Sequence, residues 1–396
     1  MATATGPRLA DALSLLAEMT DELVVATARD THAAWARRSH GAVRRVTGRA
    51  GVVPEAVHGA IATAVYGGIG AGLRATSAGL DRAASAGLGP VWEQGPRARF
   101  VASAVNGLIG DRLVAERPRL AIPVALRDDG RDVAPTSAAL AAAHPEATGR
   151  LVVFVHGLCE NESYWRLHAE RTGTTYPEAL AAHGWTPLLV RLNTGLGLRE
   201  SGAGLAGLLQ QVVEAWPVPV TRIALVGHSM GGLVARAAVA VGVEPAAGAE
   251  RWTELVSDLV TLGTPHLGAP IARGIGHGVR GLDVLPETAA FGRILDRRSV
   301  GVRDLVDGLG DDVAPLPRAR HRLVSATLSR SPRSPVGHVL GDLLVRPGSA
   351  VGRAPGGRTL FPDADLLHVG GTDHFGLLNH PEVLRALERW LDEPAG

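Results

Sequence analysis

The 396-residue sequence has one cysteine, Cys159, and no lysine. A lone cysteine closes no intrachain disulfide, so nothing argues for an oxidising compartment, and Cys159 reads as a small buried side chain rather than a nucleophile. All positive charge comes from arginine. The 40 basic residues nearly cancel the 39 acidic ones, leaving a net charge of +1 and no electrostatic footprint for nucleic acid. No long apolar run marks a membrane span. The longest uncharged stretch near the N-terminus, GAIATAVYGGIGAGL at 59–73, falls short of the roughly 20 residues a spanning helix needs. The opening segment, MATATGPRLADALSLLAEMTDELVV, is broken by Asp11 and Glu18 and lacks a clean cleavage site, so a signal peptide is not expected. Neither a metal-ligand spacing nor a dinucleotide fingerprint occurs, so no metal or cofactor is expected. The default location is cytoplasmic.

What is present fits a packed globular protein: 46% of residues are hydrophobic and 20% charged. The length suggests one large domain with an appendage. Residues 1–115 read as helices. Leu9, Leu13, Leu16 and Leu23 share one helical face; Val57, Ile61, Val65, Ile69 and Leu73 recur every fourth residue after Pro54; Val101, Val105, Leu108 and Ile109 mark a third helix. The second carries Gly59, Gly67, Gly68, Gly70 and Gly72, each costing about 1 kcal/mol in a helix interior. Close helix packing is the expected reason, and peripheral contact with a membrane or lipid surface is the alternative.

From residue 116 to 396 the pattern changes to that of an α/β domain. Leu120, Ile122, Val124 and Leu126 alternate before an Asp129-Gly130 hairpin turn. Apolar runs at 151–155, 187–190, 223–226, 259–262, 322–326 and 366–369 read as strands, with helical stretches such as 203–216 and 232–241 between several of them. Continuous apolar strands alternating with helices predict a mostly parallel sheet covered on both faces, with ligands bound at the strand C-termini. The long gap before the strand at 322 makes 268–318 a candidate lid or cap insertion.

The strand at 223–226 runs into Gly227-His228-Ser229-Met230-Gly231, and a helix pattern follows. A serine on a sharp strand-to-helix turn, between glycines and in front of a helix N-terminus, is placed to act as a nucleophile. The backbone N–H of Met230 is one expected donor to an oxyanion, and that of Leu158, in His156-Gly157-Leu158 after an earlier strand, is the second. His156 reads as a loop-stabilising histidine. Gly263-Thr264-Pro265-His266 closes another strand, and His266 is expected to shape the pocket wall, with His156, Gly157 and His228 nearby. The C-terminal part offers Asp342, then His368, His374 and His380, in the chain order Ser…Asp…His used by this architecture. His374, in the loop past the last strand, is the preferred base; His368 should lie within the strand and His380 at a helix start. Asp342 is preferred as the acid over Asp283, in the lid, and over Asp373, which adjoins His374.

With these motifs the chain from about residue 118 resembles the α/β-hydrolase superfamily, in the lipase and esterase branch that includes triacylglycerol lipases and GPI inositol-deacylase-like proteins. The resemblance is carried by His156-Gly157-Leu158, Gly227 to Gly232, Gly263 to His266, Gly341-Asp342 and His374 within HFGLLNHPEV. It implies a Ser229, His374, Asp342 triad that hydrolyses a carboxylic ester or lipid without a cofactor. The chain departs from the common lipase form in one place: the loop HGLCENESYW lacks a glycine two residues after Leu158. The same triad would also serve an acyltransferase, a thioesterase or a polyester depolymerase. A different class, a non-catalytic lipid- or partner-binding protein on this scaffold, is the remaining alternative. The resemblance does not extend to the helical N-terminal region.

Overall fold

The computed structural model describes residues 6–47, 52–92, 95–241, 246, 248, 250–269, 299–310, 313–330, 341–354 and 356–394. Most of the expected lid, 270–298, and with it Asp283, lies outside the described residues. The chain divides into two compact units. One holds the residues through Arg99 together with Pro118–Leu120; the other holds Phe100–Arg117 and the described residues from Ala121 onward.

The first unit consists of α1 (Leu9–Met19), a π-helical turn at Thr20–Val25, α2 (Ala26–Thr47) and α3 (Val52–Ser85). The apolar face expected on the first helix is not the one that packs. Asp11, Ser14 and Ala17 are buried, while Leu13 and Leu16 are exposed. Small side chains let α1 approach α3 closely enough for the Ser14 hydroxyl to reach both the Ser77 carbonyl (3.0 Å) and its hydroxyl (2.9 Å). On α3 the buried positions are Gly70, Ser77 and Ala84, one every seventh residue. Val53, Val57, Ile61, Val65 and Ile69 point outward, 47–68% exposed. Packing explains the glycines of α3 only at Gly70, where a Cβ would lie 2.5 Å from an Asp21 carboxylate oxygen; at Gly59, Gly67, Gly68 and Gly72 it would meet no atom within 4 Å. Helix α3 is long and apolar enough to cross a membrane, and it is the one such helix among the described residues.

The second unit begins in α4 (Pro96–Glu116), which kinks at Ile109. The domain boundary expected after residue 115 thus falls after Arg99, because the helix from Phe100 onward packs with the sheet unit. There the Asn106 amide oxygen accepts the Ile122 N–H (2.9 Å), and the Asn193 amide donates to the Gly110 carbonyl (3.1 Å).

The sheet has eight strands: β1 (Ala125–Asp128), β2 (Arg131–Val133), β3 (Arg150–Val155), β4 (Thr186–Arg191), β5 (Arg222–His228), β6 (Val256–Leu262), β7 (Arg320–Thr327) and β8 (Asp365–Gly370). Their order is β2-β1-β4-β3-β5-β6-β7-β8. β1 runs antiparallel to both its neighbours, and all other pairs are parallel. The expected hairpin turn is present, with positive φ at Asp129 (42°) and Gly130 (73°). The alternating run before it becomes a strand only at Ala125, since Pro118–Leu120 forms a short 3₁₀ turn and Pro123 has no N–H to lend a ladder.

The central strands carry apolar side chains on both faces because both faces are buried. Leu151, Val153 and Val155 belong to one core with Ile223 and Leu225. Val152 and Phe154 belong to the other with Ala224, Val226, Val260 and Val324. The chain leaves β3 for β4 on one side, then returns through the helix Leu198–Ala215 to β5 on the other. The C-terminal ends of β3 and β5 are therefore neighbours at a topological switch point, where open α/β sheets hold their ligands. Val155 is paired with Gly227, so the loop after β3 and the serine turn after β5 emerge side by side.

Candidate active site

Ser229 sits between β5 and the helix that follows it, Met230–Val239. Its backbone has φ 53° and ψ −124°, a left-handed conformation that costs a non-glycine residue and recurs at functional turns. The surrounding packing enforces it. The Ser229 N–H donates to the Leu262 carbonyl (2.8 Å), and a Cβ on Gly231 would fall 2.1 Å from the Val155 carbonyl oxygen. Met230 opens the helix, so its N–H is among those of the first turn that have no intrahelical acceptor.

The expected base and acid lie in contact. His374 Nδ1 is 2.7 Å from Asp342 Oδ2, and the His374 N–H donates to the Asp342 carbonyl (3.0 Å). The other carboxylate oxygen of Asp342 accepts the N–H groups of Leu344 (3.0 Å) and Val345 (2.8 Å). Both side chains are buried. Among the described residues, His374 Nε2 has no hydrogen-bond partner. Gly263, at the end of β6, brings that strand against the ring: a Cβ there would meet His374 Cε1 and Nδ1 at 3.1 Å. The His228 ring, next to Ser229 in the chain, lies tilted by 44° against the His374 ring, with centroids 4.9 Å apart.

The competing histidines are engaged elsewhere. His368 lies within β8, its ring nitrogens against the Ser325 and Thr327 hydroxyls at 3.1 Å each. His380 caps the last helix, Pro381–Asp392, and accepts the Glu382 N–H (3.2 Å). Asp373 accepts the Gly376 N–H (2.7 Å) in the turn after the base.

The four residues expected around the pocket have distinct places. His156 is fully buried; its Nε2 accepts the Leu192 N–H (3.1 Å), joining the ends of β3 and β4, and burial lowers its pKa. Gly157 runs directly beside the serine, where a Cβ would lie 2.9 Å from Ser229 Cβ. His266 is fully buried between Thr261 (3.2 Å), Arg236 (3.3 Å) and the Phe361 ring, so it backs the wall rather than presenting a surface. Burial, then the Arg236 charge, hold it well below the ordinary histidine pKa. His228 is also fully buried. Cys159 is held by a Thr194 hydroxyl on its N–H (3.1 Å), and burial followed by the Glu160 charge pushes its thiol up to about 11.

Sequence reasoning missed Glu160. It occupies the position, two residues after Leu158, where the common lipase loop carries glycine. Its buried carboxylate accepts the Gly157 N–H (2.8 Å) and binds His228 Nδ1 at 2.9 and 3.1 Å. Burial would raise the pKa of this acid, but the charge and hydrogen bond of His228 outweigh it and hold it below the ordinary value. Burial would lower that of His228, and Glu160 likewise outweighs it, keeping His228 above its ordinary value. Asn379 was also missed. With φ 51°, it donates its side-chain amide to the carbonyls of Trp165 (2.9 Å) and Leu167 (2.8 Å) and accepts the Tyr176 N–H (2.8 Å). It thereby clamps the segment after β3 to the loop that follows His374. Beside the site, Phe375, Tyr164 and Phe100 form a row with ring centroids 6.2 and 6.4 Å apart.

Residues 145–308 match the family model described as "Putative serine esterase (DUF676)". A triacylglycerol lipase of Burkholderia plantarii is 30% identical over 146 residues, which cover 36% of this chain and 37% of the lipase. The match thus spans little more than a third of that relative's length. Among solved structures, the mature form of the Bacillus licheniformis lipase BlEst2 aligns with a TM-score of 0.43 and 21% identity, covering 61% of this chain and 91% of that one. A Pyrococcus furiosus esterase aligns with a TM-score of 0.42 and 14% identity, covering 63% and 84%. The resemblance to serine esterases and lipases read from the motifs therefore holds over the stretch that carries the loop after β3, the serine turn and Gly263 to His266. Asp342 and His374 lie beyond the matched family residues.

Proposed function

We propose that the protein is a serine hydrolase of carboxylic esters. The observation that carries this reading is the buried Asp342–His374 pair, whose histidine Nε2 has no hydrogen-bond partner among the described residues and whose ring packs against His228, the chain neighbour of a strained Ser229. In the first half-reaction His374 Nε2 takes the Ser229 proton as the hydroxyl oxygen bonds to the ester carbonyl carbon. Asp342 fixes the tautomer with hydrogen on Nδ1 and stabilises the imidazolium that forms. The Leu158 and Met230 N–H groups receive the oxyanion. His374 then gives the proton to the leaving alcohol, and an acyl-serine remains. Water repeats the sequence and releases the acid. Every proton is moved by groups of this chain, so no step calls for a cofactor. The half-exposed Phe375 and Tyr164, next to the base, favour an apolar substrate. The test is a fluorophosphonate probe followed by peptide mapping. An adduct on Ser229 together with release of p-nitrophenol from its esters is expected; a protein that carries no adduct overturns the reading.

A lipid surface is the second element of the reading, favoured by the outward row Val53, Val57, Ile61, Val65 and Ile69 on α3. The residues through Arg99 serve as the surface-directed part, and the protein is cytoplasmic with peripheral membrane association. Co-sedimentation with phosphatidylglycerol vesicles tests it: the I61E/V65E variant should lose binding that the unaltered protein shows. Equal binding by both overturns the assignment.

A further inference from the structure

Three of the four loops that carry the proposed chemistry are 156–160 after β3, the serine turn after β5 and 371–379 after β8; Asp342 comes from the fourth, after β7. Outside the triad itself, one continuous hydrogen-bonded chain joins all three. The Gly157 N–H donates to Glu160 Oε2 (2.8 Å); the same carboxylate meets His228 Nδ1 (2.9 Å); and His228 Nε2 faces the His374 carbonyl oxygen (3.3 Å). Glu160 and His228 are buried, so no water competes for these groups. The carboxylate accepts only, and a histidine that donates from both nitrogens satisfies an acceptor at each end.

We infer that Glu160 and His228 form a buried strut that sets the oxyanion loop and the base loop at a fixed distance from Ser229. They are positioning residues and exchange no proton with substrate. This rests on the hydrolase reading for its effect on turnover, but not for its geometry. The site is built for it. A Cβ on Gly157 would lie 2.7 Å from Glu160 Oε1, so the loop backbone lies directly against the carboxylate. Leu158, the expected oxyanion donor, is the residue after the one the strut holds. Its N–H direction is therefore set by the Gly157–Glu160 bond, and a displacement of about 1 Å in such a group costs about 10²-fold in rate.

The strut works by hydrogen bonding, which separates it from a charge effect. In E160Q the amide oxygen still accepts the Gly157 N–H and the amide N–H₂ donates to His228 Nδ1. His228 in turn is neutral with its hydrogen on Nε2, still facing the His374 carbonyl. Every link survives without the ionic pair. E160M has similar length and offers neither donor nor acceptor.

The experiment compares wild type, E160Q and E160M by amide hydrogen exchange over residues 156–160 and by kinetics with a p-nitrophenyl ester. Expected are wild-type protection at Gly157 and kcat within about threefold for E160Q. E160M should lose that protection and about 10²-fold in kcat, with KM nearly unchanged. Equal protection in all three, or a loss in E160Q as large as in E160M, overturns the strut. If exchange behaves as expected while wild type shows no Ser229-dependent turnover, it is the esterase reading that fails and the strut that stands. Should E160M not fold, H228N carries the test, because it keeps a donor toward Glu160 and removes only the one toward His374. A fall of about tenfold in kcat at constant KM supports the strut, and a wild-type kcat overturns it.

Discussion

His374 Nδ1 lies 2.7 Å from Asp342 Oδ2, while Nε2 of the same ring has no hydrogen-bond partner among the described residues. One nitrogen is fixed and the other is not. A buried, unbonded imidazole nitrogen costs about 1–3 kcal/mol. The proposed hydrolase chemistry would give that cost a use, as a proton acceptor for Ser229.

Replacing the nucleophile is the first consequence. S229A should lower kcat for p-nitrophenyl esters by at least about 10⁴-fold and abolish fluorophosphonate labelling. The thermal midpoint should stay near that of wild type, since only a hydroxyl is removed. Labelling retained in S229A would move the nucleophile to another residue.

D342N removes the charge but keeps an oxygen for the N–H groups of Leu344 and Val345. The loop should therefore hold its shape while the imidazole takes the wrong tautomer. A fall in kcat of about 10³–10⁴-fold is expected, with KM little changed. Steady-state kinetics on folded protein reads both. A loss below tenfold would point to a different acid.

At Gly157 the question is space. An alanine Cβ would sit 2.9 Å from Ser229 Cβ and 2.7 Å from Glu160 Oε1. G157A should be destabilised by about 1–3 kcal/mol through overpacking, and should label more slowly than wild type. Urea unfolding and probe kinetics check the two effects separately; wild-type values in both would mean that the loop has room to retreat.

Acid should weaken the fold through His266. Its folded pKa lies well below the ordinary 6.5. Above pH 6.5 the ring is neutral in both states, and its contribution is fully present. Below 6.5 the unfolded chain takes up a proton that the folded chain refuses, so stability falls with pH at up to about 1.4 kcal/mol per unit. His228 has the opposite sign: its pKa is raised, so its contribution is present below 6.5 and lost as pH rises through the folded value. Urea unfolding of H266Q, which keeps His228, isolates the first effect. The variant should lose about 1 kcal/mol less than wild type between pH 6.5 and 5.5, and parallel losses would refute the assignment.

The sheet and the proposed triad could be read from the sequence because each rests on a local signal. Six of the strands are mostly apolar runs, and the serine turn has its glycines within two residues. The base was separable from His368 by one fact visible in the chain, that His368 still belongs to a strand. Glu160 was not legible. In CENES a carboxylate looks like one more solvated loop residue, and it becomes a buried partner only because the fold carries His228 to it from 68 residues away. The helical unit failed for a related reason. Its leucines and valines keep a clear periodicity, but the surface that packs α1 on α3 is made of Ser14, Ala17, Gly70, Ser77 and Ala84, and small polar seams leave no hydrophobic signature.

The clamp made by Asn379 has a consequence in time. It holds the carbonyls of Trp165 and Leu167 from a position 214 and 212 residues further along the chain. During synthesis the serine turn emerges and can fold long before that asparagine exists. Until the loop after β8 arrives, the segment after β3 lacks the anchor that Asn379 gives it. On the hydrolase reading the proposed base, His374, comes with that same loop, so a nascent chain halted before it would display Ser229 without the means to use it. Anchorage and the proposed reactivity then arrive together, on one stretch of chain.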